Sequence, residues 1–446
     1  TDGDIAYIAL PFIQEYTNME YSVEQEPNRA IITSKWGEIE TAEVKKDTQV
    51  RYLGGVKSPI LTEVKKSDKV TVLEDEDDWM KVATADGYVG YIKTKSLKNQ
   101  KKEKTSRDFT EPVYSDMTED HSINMAWHNV TNAAANNAVQ QVLASTSGLT
   151  TIAPTWFSLA DTEGNISSIA DADYVNYAHT AGLEVWAVFR DFHGGTNSYD
   201  ETYETLRYTS KRAKLEDQVV AAAVAAGVDG INLDFELISS KCGVHYVQLV
   251  RELSVKCHQN NLVFSVDNYV PQSYNSHYDL KEQGIVADYV VIMAYDEHTE
   301  GSYEAGSVAS ISYLQDGIEK TLKKVSADKV IAGIPFFTRL WFETAKSPEQ
   351  LSEEAGTEAA SYPNKVSSKA LGMEEAAQSV VNAGATAQWD EKTQQNYAKW
   401  SADGGTYRIW LEDAQSLEAK LKVIQENKLA GVAEWSLGKE ESSVWK

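Results

Sequence analysis

From residue 112 onward the chain alternates apolar runs with stretches of helical spacing, and that alternation limits the folds open to it. Eight runs stand out, at residues 123–127, 150–157, 183–189, 230–235, 262–266, 289–295, 330–335 and 432–435. They are nearly continuous in apolar character, as strands buried on both faces are. Helix-spaced segments fall between them at 133–144, 173–181, 211–226, 245–258 and 312–324, with another at 414–427. Repeated strand–helix units of this kind predict an α/β protein, a closed (β/α)8 barrel over residues 112–446. The interval 337–405, between the seventh and eighth runs, is too long for a plain loop. It is expected to hold an α+β insertion.

Barrel active sites lie at the C-terminal ends of the strands. The fourth run reads Asp229-Gly230-Ile231-Asn232-Leu233-Asp234-Phe235-Glu236. Strand side chains alternate with period two, so Asn232, Asp234 and Glu236 share one face while Ile231, Leu233 and Phe235 share the other. If the apolar set meets the helices, the polar set points into the barrel. Buried neighbouring carboxyls raise one another's pKa, which suits a general acid that must stay protonated near neutral pH. Glu236, nearest the strand end, is the expected acid, and Asp234 its partner.

These residues resemble the strand-four motif of glycoside hydrolase family 18, the chitinase-like barrels, written D-G-aliphatic-[DN]-aliphatic-D-x-E. Residues 229–236 fit it at every position, with Asn232 where Asp is more usual. Met293-Ala294-Tyr295-Asp296 resembles the family's M-x-Y-D, and residues 431–438 resemble its closing G-x-x-x-W-x-L-G. The phrases at 334–341 and 407–413 look like the bacterial cell-wall and spore-cortex N-acetylglucosaminidase branch. The resemblance implies a retaining hydrolase cleaving β-1,4 bonds after N-acetylglucosamine in peptidoglycan, cortex or chitin-type glycans. In this family the substrate's own 2-acetamido group assists, through an oxazolinium ion. It further implies that Glu236 is the acid and base, that Asp234 orients the acetamido N–H, and that Tyr295 holds its carbonyl. Asn232 would support Asp234. Asp296 would hydrogen-bond sugar or Tyr295, and Trp435 would floor the cleft. Arg339, Trp341 and Trp389 are candidate cleft residues in or near the insertion, and Trp127 and Trp156 are candidates at strand ends. The chemistry requires no metal or other cofactor.

The first hundred residues read as short strands with close-set turn signals. Residues 48–98 resemble a bacterial SH3-like module, on Asp78-Trp79-Met80-Lys81-Val82, the Asp86-Gly87 hairpin and Tyr88-Val89-Gly90-Tyr91-Ile92. That resemblance implies a cell-wall peptide as partner, or else a rigid spacer. Residues 1–47 are expected to form a separate small β unit, and the polar stretch 99–111 a linker.

Lys and Arg number 42 against 67 Asp and Glu, a formal net charge of −25. Such a field repels nucleic acid and anionic bilayers. Two cysteines, Cys242 and Cys257, exclude a disulfide-dense scaffold and are expected as free thiols. No apolar run is long enough to span a bilayer. The chain begins at Thr1 rather than Met, so any signal peptide or anchor is expected to have been removed, and localisation is expected to be secreted or cell-wall and spore associated. Two alternatives compete with the enzyme: a catalytically silent sugar-binding barrel, and a wall-bound scaffold. Retention of both Asp234 and Glu236 favours the enzyme.

Overall fold

The computed structural model describes residues 7–110 and 115–445, in two compact units divided between residues 114 and 115. In the larger unit eight parallel strands close into a barrel. They are β1 (Ile123–His128), β2 (Thr151–Pro154), β3 (Glu184–Arg190), β4 (Gly230–Asp234), β5 (Val263–Tyr269), β6 (Tyr289–Met293), β7 (Val330–Pro335) and β8 (Gly431–Trp435). Neighbours pair in chain order, and β8 pairs β1 in parallel with Trp127 opposite Trp435. All eight apolar runs became strands, with boundaries shifted by a few residues.

The pleat sorts the side chains as alternation requires. Ile231, Leu233 and Phe235 pack outward in one buried cluster with Leu215, Val219, Leu249 and Leu253 of the surrounding helices. Met125, Trp127, Trp186, Val188, Val263, Tyr289, Val291 and Ala433 fill the inside of the barrel. The surrounding helices have local start and stop signals. Asp171 caps helix Ala172–Thr180 by accepting the Asp173 and Tyr174 amides. Helix Thr209–Ala226 stops at Gly227, whose φ of +77° is the left-handed conformation that glycine adopts freely. At the seam, a Cβ on Gly431 would stand 2.0 Å from the Ile123 carbonyl oxygen, so only glycine lets β8 approach β1 there.

Between β7 and β8 a five-stranded antiparallel sheet forms from Phe337–Ala345, Asn364–Gly372, Gln388–Asp390, Gln395–Ala402 and Gly405–Leu411. Helix Met373–Asn382 covers it, burying Ala376 and Val380 against Leu371, Ala398 and Ile409. The segment runs to Leu411, past the expected limit of 405. A buried ion pair, Lys420 Nζ to Glu412 Oε2 at 2.9 Å, joins its end to the last barrel helix.

The smaller unit carries a seven-stranded antiparallel sheet around Val44, Val50, Val70, Met80, Val82 and Ile92. The Asp86-Gly87 turn sits between Trp79–Thr84 and Val89–Lys93, with Gly87 at φ +84°. Two expected boundaries are corrected here. The stretch expected to be a linker is, as far as Thr105, the strand Leu97–Thr105. It pairs with Gly37–Val44, which belonged to the expected separate β unit. Lys104, Lys102 and Lys98 stand opposite Glu38, Glu40 and Glu43, and Lys102 reaches Glu38 at 2.7 Å. A lysine-rich edge strand of this kind has linker-like composition. Residues 1–6 and 111–114 lie outside the described residues, so the first part of the expected β unit and the end of the expected linker go with them. No described helix is long and apolar enough to cross a membrane.

Candidate active site

Glu236 stands two residues beyond the end of β4, at the C-terminal mouth of the barrel. A cleft of about 200 Å³ opens there. Asp234, Glu236, Asp267, Tyr269, Tyr295 and Asp296 line it, together with Trp127, Met293 and Trp435. Asn129, Arg190, Phe192 and His193 complete the wall from the ends of β1 and β3.

The polar interior holds two sets of hydrogen bonds, one around Asn232 and one around Glu236. Asn232 is fully buried. Its amide donates to Asp267 Oδ1 at 2.7 Å and Ser265 Oγ at 2.9 Å, and its carbonyl accepts Trp127 Nε1–H at 3.0 Å. Asn232, expected to support Asp234, therefore bonds across to β5 and β1 instead. Asp234 keeps one oxygen, Oδ1, without a protein partner. The Tyr269 hydroxyl donates to Glu236 Oε2. Behind the cleft, the buried Asp191 carboxylate accepts the Glu236 amide at 2.9 Å and the Leu237 amide at 3.0 Å.

These carboxyls do not titrate as in water. Burial holds Asp234 well above the usual carboxylate range, and the charges of Glu236, Asp267 and Asp191 add to the push. Arg190, its cross-strand neighbour on β3, opposes it. Glu236 is also raised, first by burial and then by the charge of Asp296, against the lowering effect of the Tyr269 hydrogen bond. Burial pushes Asp267 up to about 8 and Asp191 up to about 7. A carboxyl that retains its proton near neutral pH can donate it to a leaving oxygen.

Asp296 follows β6 in the left-handed backbone region, at φ +59°. Burial raises its carboxyl, and the charges of Arg339 and Lys439 oppose that. Tyr295 packs edge-on against Trp127 and Phe337, with ring centroids 6.5 and 6.2 Å away. The Trp127 and Trp435 rings lie 6.0 Å apart. Trp127 is almost wholly buried, whereas Trp435 is partly open.

Four expected cleft residues lie elsewhere. Trp341 is fully buried in the insertion sheet and donates its indole N–H to the Gly306 carbonyl at 2.8 Å. Arg339, on the same strand, donates to Ser368 Oγ at 2.9 Å and does not line the cleft. Trp156 is buried with its indole bonded to Asn136. Trp341 and Trp156 are thus used for packing, and Arg339 for a hydrogen bond to the neighbouring strand. Trp389 lies on strand Gln388–Asp390 and is also absent from the cleft lining.

Sequence reasoning missed Asp267, Tyr269, Arg190 and Asp191. A signal for the first two was present. On β5, Val263, Ser265, Asp267 and Tyr269 share the inward face, a polar set on a barrel strand like that of β4. Arg190 and Asp191 follow an apolar run and read as its solvent-side end. Cys242 and Cys257 are both free and buried, at opposite ends of helix Gly243–Gln259.

Residues 140–440 match the family described as Glycosyl hydrolases family 18, and residues 45–98 match the Bacterial SH3 domain. Among curated relatives, the uncharacterized glycosylase YvbX of Bacillus subtilis is 25% identical, over 64% of this chain and 79% of its own length. The cortical fragment-lytic enzyme of Bacillus subtilis is 27% identical, over 53% of this chain and 52% of its own length. The chain thus spans about half of that second relative. The crystal structure of the spore cortex-lytic enzyme SleL from Bacillus megaterium QM B1551 shares the fold. Its TM-score is 0.59 at 20% identity, covering 77% of this chain and 76% of SleL.

Proposed function

The chain belongs to glycosyl hydrolase family 18, and from that premise we propose that it hydrolyses β-1,4 bonds after N-acetylglucosamine, with retention, in cortex, peptidoglycan or chitin-type glycans. The observation that carries this reading is the pairing of a raised Glu236 carboxyl with a buried Asp234 whose Oδ1 has no protein partner. That free acceptor suits the N–H of a 2-acetamido group, which would offset part of the penalty for a buried unpaired oxygen.

The steps follow from this placement. Glu236 gives its proton to the glycosidic oxygen as the bond to the anomeric carbon breaks. The acetamido carbonyl oxygen bonds to that carbon from below, forming the oxazolinium ion. Asp234 holds the N–H, and its position beside the ring stabilises the positive charge that develops. Tyr295 holds the carbonyl, and Trp435 offers its open face to the apolar side of the sugar. Water then attacks the anomeric carbon as its bond to the acetamido oxygen breaks and the acetamido group is restored, and the Glu236 carboxylate takes the proton of the water. Asp296 contributes its charge to the acid and a hydrogen bond to the sugar.

The names of the relatives support a cortex or wall glycan over insoluble chitin, and action at the wall or spore rather than on soluble metabolites. The SH3-like unit would add a cell-wall peptide contact. Proton NMR of the reducing end released from N-acetylglucosamine oligomers and from muropeptide-bearing glycan tests the mechanism. The reading predicts the β-anomer first and no cleavage of the de-N-acetylated glycan. Initial release of the α-anomer, or equal cleavage without the acetamido group, would contradict it.

A further inference from the structure

Among the buried acids that take no part in the proposed steps is Asp191, which follows β3, is fully buried and does not line the cleft. Taking a carboxylate out of water is costly unless its oxygens are fully used. Here they are. Oδ1 accepts the Glu236 amide at 2.9 Å, and Oδ2 accepts the Leu237 amide at 3.0 Å and the Thr202 hydroxyl at 3.1 Å. Strand β4 ends at Asp234, so neither amide has a ladder partner, and a buried amide needs one. On the other side, the Tyr278 hydroxyl donates to the Glu236 carbonyl at 3.1 Å. The main chain of the acid is therefore held at both its N–H and its C=O.

We propose that Asp191 is the positioning residue of the acid: its two oxygens grip consecutive amides and fix the direction in which the Glu236 side chain enters the cleft. A neutral side chain of similar size lacks two acceptor oxygens aimed this way. Asparagine at this position would satisfy one amide and turn a donor toward the other. Thr202 belongs to helix Tyr199–Leu206, so the grip is referred to a rigid element behind the barrel. Displacement of a catalytic group by about 1 Å can lower a rate about 100-fold, so the grip acts on turnover more than on glycan binding.

This inference rests on the glycosidase reading of Glu236, and two measurements separate the two. The first is native-state hydrogen exchange of the wild-type protein. The Glu236 and Leu237 amides are expected to be protected although they lie outside every helix and strand. Rapid exchange of both would overturn the proposal whether or not the protein cleaves glycan. The second is steady-state kinetics of Asp191→Asn and Asp191→Ala on N-acetylglucosamine oligomers, with active sites counted by calorimetric titration. The expected result is a fall in kcat of about 10-fold for D191N and about 100-fold for D191A, with KM within about threefold of wild type. Folded variants that keep wild-type kcat, or that lose KM and kcat in equal measure, would overturn it. Thr202→Val removes only the third hydrogen bond and keeps both amide contacts. It should lower kcat by no more than a few-fold, and a loss as large as that of D191A would move the role from Asp191 to the helix.

Discussion

Asn232 occupies the position where the family pattern more often has an aspartate, so N232D restores the common residue into this particular network. The Asn232 amide lies 2.7 Å from Asp267 Oδ1, with Asp234 on the same strand face. A third carboxyl in that space cannot ionise beside the others. Two unit charges 4 Å apart repel by about 4 kcal/mol even at an effective dielectric of 20. The new group is relieved by keeping a proton that it loses on unfolding. Its folded pKa is thus raised above its unfolded value, and the folded state binds more protons. The penalty is small below the unfolded pKa of about 3.9 and grows by at most about 1.4 kcal/mol per pH unit above it. The limit is about 1.5 kcal/mol at pH 5 and about 4 kcal/mol at pH 7. Urea unfolding of N232D and wild type at both pH values measures the difference. The variant should lose more stability at pH 7 than at pH 5, by up to about 2.7 kcal/mol. Equal losses at the two pH values would refute the description of this interior as a desolvated, proton-holding cluster.

Other perturbations have equally definite signs. The Tyr269 hydroxyl stabilises the charged form of Glu236, so Tyr269→Phe raises the Glu236 pKa, and the basic limb of the kcat/KM profile should move to higher pH. Trp435 is the open aromatic face of the cleft, and Trp435→Ala should raise KM about tenfold, equivalent to about 1.4 kcal/mol, in initial-rate assays on N-acetylglucosamine oligomers. Lys420→Met leaves Glu412 buried without its cation, which should lower unfolding free energy by about 3–5 kcal/mol while kcat of the folded fraction is unchanged.

The barrel was legible because its strands are buried on both faces and carry near-continuous apolar runs. The insertion was legible only as an interval too long for a loop. Its sheet buries one face under helix Met373–Asn382 and leaves the other more open, so the apolar signal is diluted. Glu236 and Asp234 could be read from one strand, since period-two alternation places them together. Asp267 bonds Asn232 and Tyr269 bonds Glu236, but joining them to β4 requires knowing that β5 is its neighbour and which face of β5 turns inward. Asp191 was harder still. It acts on the backbone just beyond the end of the neighbouring strand β4, and nothing in the order Phe189-Arg190-Asp191 announces that partner. Trp341 shows the opposite error: an aromatic beside a cleft motif that packs inside a sheet. The strand Leu97–Thr105 was hidden by its lysines, whose partners on Gly37–Val44 lie about sixty residues earlier.

The central claim is that Glu236 is the proton donor of a glycosidase. Mass spectrometry of the products from muropeptide-bearing glycan and N-acetylglucosamine oligomers, with wild type and Glu236→Gln run in parallel, tests it directly. The account predicts wild-type fragments ending in reducing N-acetylglucosamine, and a rate lower by about 10²- to 10⁴-fold in the variant. A variant as fast as wild type, or a wild type that binds these glycans and cuts neither, would contradict it.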